Sequence, residues 1–176
     1  MLYWLIGPPG VGKTKLSKSL SCDIKLSLDV LRSGLGDLGF DDIESWNLDG
    51  YDLALIRELA DRDAAVVVDG LCLNFDEVFA QLDPDRMHLI FLYDNCSNVF
   101  GRTELRYENN KRTYRYKDVQ AVVDLNSWLA EKFNSWRGWK HAIDVKVEGA
   151  TDSINKLCKR RFRKTVRPLG NVAAGV

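Results

Sequence analysis

The sequence predicts an α/β protein built on one parallel sheet, and three observations predict it. Five short apolar segments are separated by stretches long enough for a helix, the alternation of strand and crossover helix that a parallel sheet requires. A glycine-rich stretch, GPPGVGKT at residues 7–14, stands between the first apolar segment and KLSKSL. The 176 residues, 45% of them hydrophobic, suffice to bury one core and fall short of two ordinary ones.

Taken in order, the expected strands are LYWLI (2–6), DIKLSL (23–28), AAVVVD (64–69), HLIFLYD (88–94) and AIDVKVE (142–148). The first, third and fourth are almost continuously apolar, as strands covered on both faces must be, so they belong at the sheet centre. The second and fifth alternate, Ile24, Leu26 and Leu28 against Lys25 and Ser27, and Ile143, Val145 and Val147 against Asp144 and Lys146, which suits edge strands. Between them, residues 52–62 and 117–136 have helical spacing, and ATDSINKLCKRRF begins a last helix with Thr151 as its expected N-cap. Trp128, Leu129, Phe133 and Trp136 recur at intervals that point them to the core or an interface. Neither Trp46 nor Trp139 falls into such a pattern. The expected organisation is a single domain over residues 1–165 with a fraying tail over 166–176.

Charge is balanced, 25 basic against 25 acidic residues, but unevenly placed. No acidic residue follows Asp152, and the run beyond it holds Lys156, Lys159, Arg160, Arg161, Arg163, Lys164 and Arg167, a density that suits a polyanion or a solvated tail equally. Cys22, Cys72, Cys96 and Cys158 form no CxxC pair and suggest neither a zinc site nor a disulfide framework. No apolar run approaches the roughly 18 residues of a membrane span, and no secretory pattern opens the chain, so a cytoplasmic location is expected.

GPPGVGKT matches GxxxxGK[ST] with a strand before it and a helix after it, the context in which the motif is specific. Gly7, Gly10 and Gly12 let the backbone of Gly7, Pro8, Pro9, Gly10, Val11 and Gly12 wrap so that the N–H groups of its non-proline residues turn inward onto phosphate oxygens. Lys13 is expected to reach the β and γ phosphates, and Thr14 to hold Mg²⁺ through its hydroxyl. The motif defines a nucleoside triphosphate site, with hydrolysis, switching and phosphoryl transfer all open. A guanine-reading NKxD is absent, and the small size favours transfer.

The acceptor side follows from topology. Asp29 and Arg32, in SLDVLR after the second strand, share a helix face at the crevice where the carboxyl ends of parallel strands open. There a carboxylate can accept a proton from an attacking hydroxyl, and an arginine can fork onto a phosphate. Asp69, ending VVVD, stands where a Walker B-like acid would order Mg²⁺ opposite Thr14. Asp94, ending the fourth strand, is read as structural. Arg102 and Arg106 lie at i and i+4 in FGRTELR, ahead of Lys111, Arg112, Arg115 and Lys117 mixed with Tyr107, Tyr114 and Tyr116. The composition reads as a lid over about residues 101–117 whose arginines stabilise charge on a transferring phosphoryl group.

In this order, GPPGVGKT, SLDVLR, VVVDGLCLN and FGRTELR resemble the bacteriophage-type polynucleotide kinase branch of the P-loop kinases, over about residues 2–150. The resemblance implies the strand order 2-3-1-4-5, ATP and Mg²⁺ as cofactors, Asp29 as general base toward a 5′-hydroxyl, Arg32 on the acceptor phosphate, and Arg106, supported by Arg102, on the donor phosphates. It implies a nucleic-acid partner, DNA favoured. Related small kinases act on other hydroxyls, among them zeta-type toxins, sugar and shikimate kinases, and phage enzymes that phosphorylate 5-hydroxymethyluracil in DNA. A kinase of nucleosides or other small molecules and a nucleotide-gated binding module are the further alternatives.

Overall fold

The computed structural model describes residues 1–33, 46–110, 114–146 and 149–159, with the side chains of residues 31–33 and 159 excepted. Its elements run β1 (Leu2–Ile6), α1 (Lys13–Ser19), β2 (Ile24–Ser27), α2 (Leu28–Ser33), α3 (Gly50–Asp61), β3 (Val66–Asp69), α4 (Phe75–Gln81), β4 (Met87–Tyr93), α5 (Cys96–Asn109), α6 (Val119–Ser135), β5 (Trp139–Asp144) and α7 (Ala150–Lys159). All strand pairs are parallel and the order is β2-β3-β1-β4-β5, as expected.

The apolar runs sit where their pattern places them. Every residue of β1 and β3 is buried, because helices cover both faces. On one face, Trp4, Ile6, Val68 and Phe91 pack against Ile56 of α3, Phe75 of α4, and Leu129 of α6 with Trp136 just beyond its end. On the other, Tyr3, Leu5, Ile90 and Leu92 pack against Leu16 of α1, Val99 of α5 and Ile154 of α7. The alternation of side chains along β1 therefore feeds two cores at once. Trp128 and Phe133 are half-buried against the first core, and Trp139 stays 59% exposed on the edge strand.

The helix boundaries have local causes. Asp49 caps α3 by accepting from the N–H groups of Tyr51 and Asp52, with the reciprocal bond from Asp49 N–H to the Asp52 carboxylate. Asp118 caps α6 through Ala121 N–H. Two expectations need correction. The last strand is Trp139–Asp144, starting three residues before the predicted 142, and Val145 and Lys146 form a turn. Its ladder ends where β4 ends, at the Tyr93–Asp144 pair, while residues 147–148 lie outside the described residues. Helix α7 starts at Ala150, so Thr151 lies inside the first turn with its hydroxyl 3.4 Å from Ser19 Oγ, and Gly149 (φ +90°) supplies the turn before it. No described helix is long and apolar enough to cross a membrane.

Candidate active site

The phosphate loop leaves β1 at Gly7 and ends as α1 begins. Gly7 passes so close to β4 that a Cβ would meet the Leu92 carbonyl oxygen at 2.5 Å. Gly10 (φ +85°) lies under α5, where a Cβ would meet Thr103 Cγ2 at 2.6 Å. Lys13 folds back into the loop it follows: its Nζ donates to the Gly7 carbonyl (2.6 Å) and the Pro8 carbonyl (3.1 Å). Burial lowers its pKa to about 8, Asp29 and Asp69 pull it up, and Arg106 pushes it down.

The next residue, Thr14, meets Asp69 as predicted, its hydroxyl 3.2 Å from Oδ1. Ser27 donates to the same oxygen, also at 3.2 Å, because β2 and β3 are in register with Ser27 opposite Asp69. Three oxygen side chains thus converge at the carboxyl ends of β2 and β3. The set contains no nitrogen or sulfur, which suits a hard cation that keeps waters and phosphate oxygens as its remaining ligands. Among the described residues no group of three His, Cys, Asp or Glu gathers elsewhere to hold a metal.

Across the cleft stands Asp29. Strand β2 ends at Ser27 and α2 begins at Leu28 with no loop between them, so Asp29 occupies the first turn and lines the cleft with Lys13, Thr14 and Lys15. Leu28 anchors this junction: it is fully buried against Gly70 (φ +135°), where a Cβ would sit 2.7 Å from Leu28 Cβ. The remaining wall is Pro9, Gly10 and Gly12 of the loop with Trp46, Leu71, Arg106 and Tyr114. The Arg32 side chain lies outside the described residues.

The two arginines expected in a lid separate. Arg106 reaches the cleft wall. One turn earlier, Arg102 holds the loop itself: Nε donates to the Gly10 carbonyl (2.8 Å), and the other end of its guanidinium lies 2.7 Å from Asp94 Oδ2. Asp94 is buried at the end of β4, and its other oxygen is 3.3 Å from Lys146 Nζ and accepts from Asn95 N–H at 2.6 Å. Burial pushes the Asp94 carboxyl up, but the Arg102, Asn95, Asn98 and Lys146 contacts outweigh it and hold the group below the usual carboxylate range. Asp94 is thus structural, as the sequence reading had it, and it braces the phosphate loop.

Several residues in or beside the cleft were given no individual role by the sequence. Tyr116 is buried and donates its hydroxyl to the Pro9 carbonyl (3.1 Å), Tyr114 packs edge-on against it at 4.7 Å, and Trp46 lies 5.4 Å from Tyr114. Ser27, Leu71 and Lys15 were likewise not singled out. Only strand register could have pointed to Ser27.

No family model and no curated protein matches the chain. Solved structures do match it in fold. A shikimate kinase from Acinetobacter baumannii in complex with shikimate is 17% identical, with a TM-score of 0.62 over 94% of this chain and 95% of that one. A gluconokinase from Sinorhizobium meliloti is 18% identical, with a TM-score of 0.51 over 93% and 96%. A deoxyadenosine kinase from M. mycoides, with dCMP and a flexible dCDP bound as products, is 15% identical, with a TM-score of 0.53 over 89% and 98%. The fold is therefore that of the P-loop kinases, with its five-stranded parallel sheet flanked by helices.

These neighbours correct the expectation of a nucleic-acid partner, since each is named for a small molecule. The structure supplies a physical reason. Arg115, in the basic and aromatic stretch that suggested a polyanion surface, is bidentate to Glu104 at 2.9 Å twice over and lies over the Tyr107 ring. Tyr116 in the same stretch is buried. Lys111 and Arg112 and the basic run of residues 160–167 lie outside the described residues.

Proposed function

We propose that this chain is an ATP-dependent kinase that transfers the γ-phosphoryl group to a hydroxyl of a small molecule, with Mg²⁺ as the accompanying cation. The observation that carries this reading is that Asp29 lines one cleft with Lys13 and with Thr14, which bonds Asp69. A carboxylate in the phosphate cleft can take the proton of an attacking hydroxyl. The fold neighbours, kinases named for shikimate, gluconate and deoxyadenosine, support a small acceptor.

In this reading the loop's N–H groups and Lys13 hold the β and γ phosphates, and Arg106 meets the charge that spreads over the transferring group. Mg²⁺, when bound, neutralises charge between those phosphates, and Thr14 and Asp69, with Ser27 behind them, would hold it or its waters. Asp29 takes the proton of the acceptor hydroxyl as that oxygen bonds to the γ phosphorus. The bond from the γ phosphorus to the bridging oxygen breaks, and the electron pair leaves with ADP. The motif order that resembles polynucleotide kinases then describes shared donor and catalytic parts turned to a small acceptor. The four cysteines are free, which fits a reducing cytoplasm.

The test offers labelled ATP and Mg²⁺ with shikimate, gluconate, deoxynucleosides and a 5′-hydroxyl oligonucleotide. Label is expected on a small molecule and lost in Lys13→Ala. Label on the oligonucleotide alone, or on nothing while ATP is bound, refutes the reading.

A further inference from the structure

Strand β5 ends the sheet, with β4 on its inner side. Alternate residues of a strand turn their N–H and C=O groups to opposite edges. Just beyond the strand, Val145 N–H donates inward to the Tyr93 carbonyl, so the main-chain groups of Ile143, His141 and Trp139 also turn toward β4, and those of Lys140, Ala142 and Asp144 turn outward. Among the described residues no hydrogen bond takes up these outward groups. At six residues this edge is longer than the four of β2 at the other end of the sheet. It begins at Trp139, whose ring stacks on His88 at 5.8 Å and is otherwise exposed. An edge of this kind is a template for a further strand unless its side chains refuse one.

The side chains of β5 select which strand can be added. Lys140, Ala142 and Asp144 share one face of the strand. The Lys140 ammonium donates to the Asn134 carbonyl at 3.0 Å and lies 5.9 Å from the Phe133 ring, and Asp144 accepts from Lys146 N–H through one carboxylate oxygen. An ammonium has three donors and a carboxylate two oxygens, so each keeps capacity for a partner. Placed antiparallel about a two-fold axis at Ala142, a second β5 sets Lys140 opposite the second copy's Asp144, and Asp144 opposite its Lys140. The residues that face each other as Lys140, Ala142 and Asp144 do are then the outward-turned ones, the kind of pair that exchanges two main-chain hydrogen bonds. The neighbouring registers lose this match. An axis at His141 sets Asp144 opposite Gly138 and Lys140 opposite Ala142, and an axis at Ile143 sets Lys140 against Lys146.

We propose that two copies of this chain join through their β5 edges, antiparallel about Ala142, into one continuous sheet. The partner is a second copy because the match is self-complementary: one edge supplies both charges, as a two-fold interface requires. A lysine on an edge strand ordinarily keeps foreign strands away, and in this pairing it meets an acid. On the other face, Trp139 stands opposite Val145 of the second copy and His141 opposite Ile143. The contact is small, which places it among weak, concentration-dependent associations. It uses no residue of the cleft and stands or falls apart from the kinase reading.

Sedimentation velocity of the full chain over about 1–300 µM should show a monomer–dimer equilibrium. Ala142→Pro removes an outward N–H that the monomer does not use, a change an edge strand tolerates, and should leave a monomer throughout. Lys140→Glu and Asp144→Lys each set like charges opposite one another at both ends of the pairing, and each should weaken the dimer about tenfold or more. Mixed in equal amounts, these two variants set every introduced charge opposite its complement and should associate as the wild type does. Such recovery needs folded chains, so it decides the matter even if Ala142→Pro fails to fold. A wild type that is monomeric at every concentration overturns the proposal, and protection of its Ala142 amide from hydrogen exchange would then show that the chain covers its own edge. A Lys140→Glu dimer as tight as wild type, or a mixture that stays monomeric, overturns it as well.

Discussion

Lys13 links nucleotide binding to protons, and the linkage can be worked through. Burial holds its pKa at about 8, against an ordinary 10.5, although Asp29 and Asp69 pull it upward. Donor phosphates arriving at the loop bring opposite charge beside the ammonium, which must raise the pKa again. Binding therefore takes up a proton whenever the free protein has lost it. At about pH 7 the free protein is almost fully protonated at Lys13. At about pH 9 only about one molecule in ten is, and the Kd for Mg-ATP should be about tenfold weaker. The donor's own phosphate has finished titrating by then, its last pKa lying near ~6. Calorimetric titrations at several pH values, each in two buffers of different ionisation heat, give both Kd and the protons taken up. The expected result is a flat Kd below about pH 7.5, a rise toward pH 9, and uptake approaching one proton. A constant Kd with no uptake refutes the reasoning. The sign for stability follows from the same shift. Between about 8 and 10.5 the unfolded chain holds the proton that the nucleotide-free fold has lost, so stability should rise with pH in that window. The limit is about 3 kcal/mol, and Lys13→Met should abolish the rise.

Two further outcomes test the acceptor side and the loop. Asp29→Asn should lower kcat by about 10² or more, the scale of losing a general base, with little effect on Mg-ATP affinity; a change confined to acceptor KM would make Asp29 a binding residue. Gly10→Ala should destabilise the fold by about 1–3 kcal/mol in denaturant titrations, since its Cβ would sit 2.6 Å from Thr103 Cγ2 and 3.1 Å from the Val99 carbonyl at φ +85°. Adding Thr103→Ser removes the first clash and should recover only part of the loss, because the carbonyl and the backbone strain remain. Full recovery would show that the strain is unimportant.

The central strands were legible because their patterns are local. A strand covered on both faces must be apolar along nearly all its length, and β1, β3 up to its final Asp69, and β4 apart from His88 are. The edge strand β5 slipped because its alternating pattern continues past Asp144, while its length is set by where β4 stops. Helix α4 escaped notice because seven residues with Phe75 and Val78 as their buried contacts make no period. In the site, Thr14 and Asp69 were readable from a motif and a strand end, both short-range signals. Tyr116 was not, since its partner Pro9 is 107 residues away and nothing beside it in the chain encodes the contact. Arg102 and Arg106 share a helix face as predicted, yet one turn, about 5.4 Å, separates a side chain that reaches Gly10 from one that reaches the cleft.

These non-local contacts determine how precisely the two halves of the cleft are held. Tyr116 ties its ring to the phosphate loop through Pro9, Tyr114 leans on Tyr116, and Trp46 leans on Tyr114. From the other side, the Trp46 carbonyl accepts from Leu73 N–H at 3.2 Å, and Asn74 grips Leu48 twice, accepting from its N–H and donating to its carbonyl at 3.0 Å each. Leu73 and Asn74 lie in the chain that leaves β3, the strand that ends in Asp69. The apolar wall is thus bound both to the phosphate loop and to the chain that leaves the strand ending in Asp69. A displacement of about 1 Å in such an arrangement costs orders of magnitude in rate, so tethers through main-chain groups serve better here than side chains with free torsions. In the proposed reaction the spacing of acceptor and donor therefore depends on main-chain contacts at Pro9, in the loop itself, and at Leu73, in the chain beyond β3.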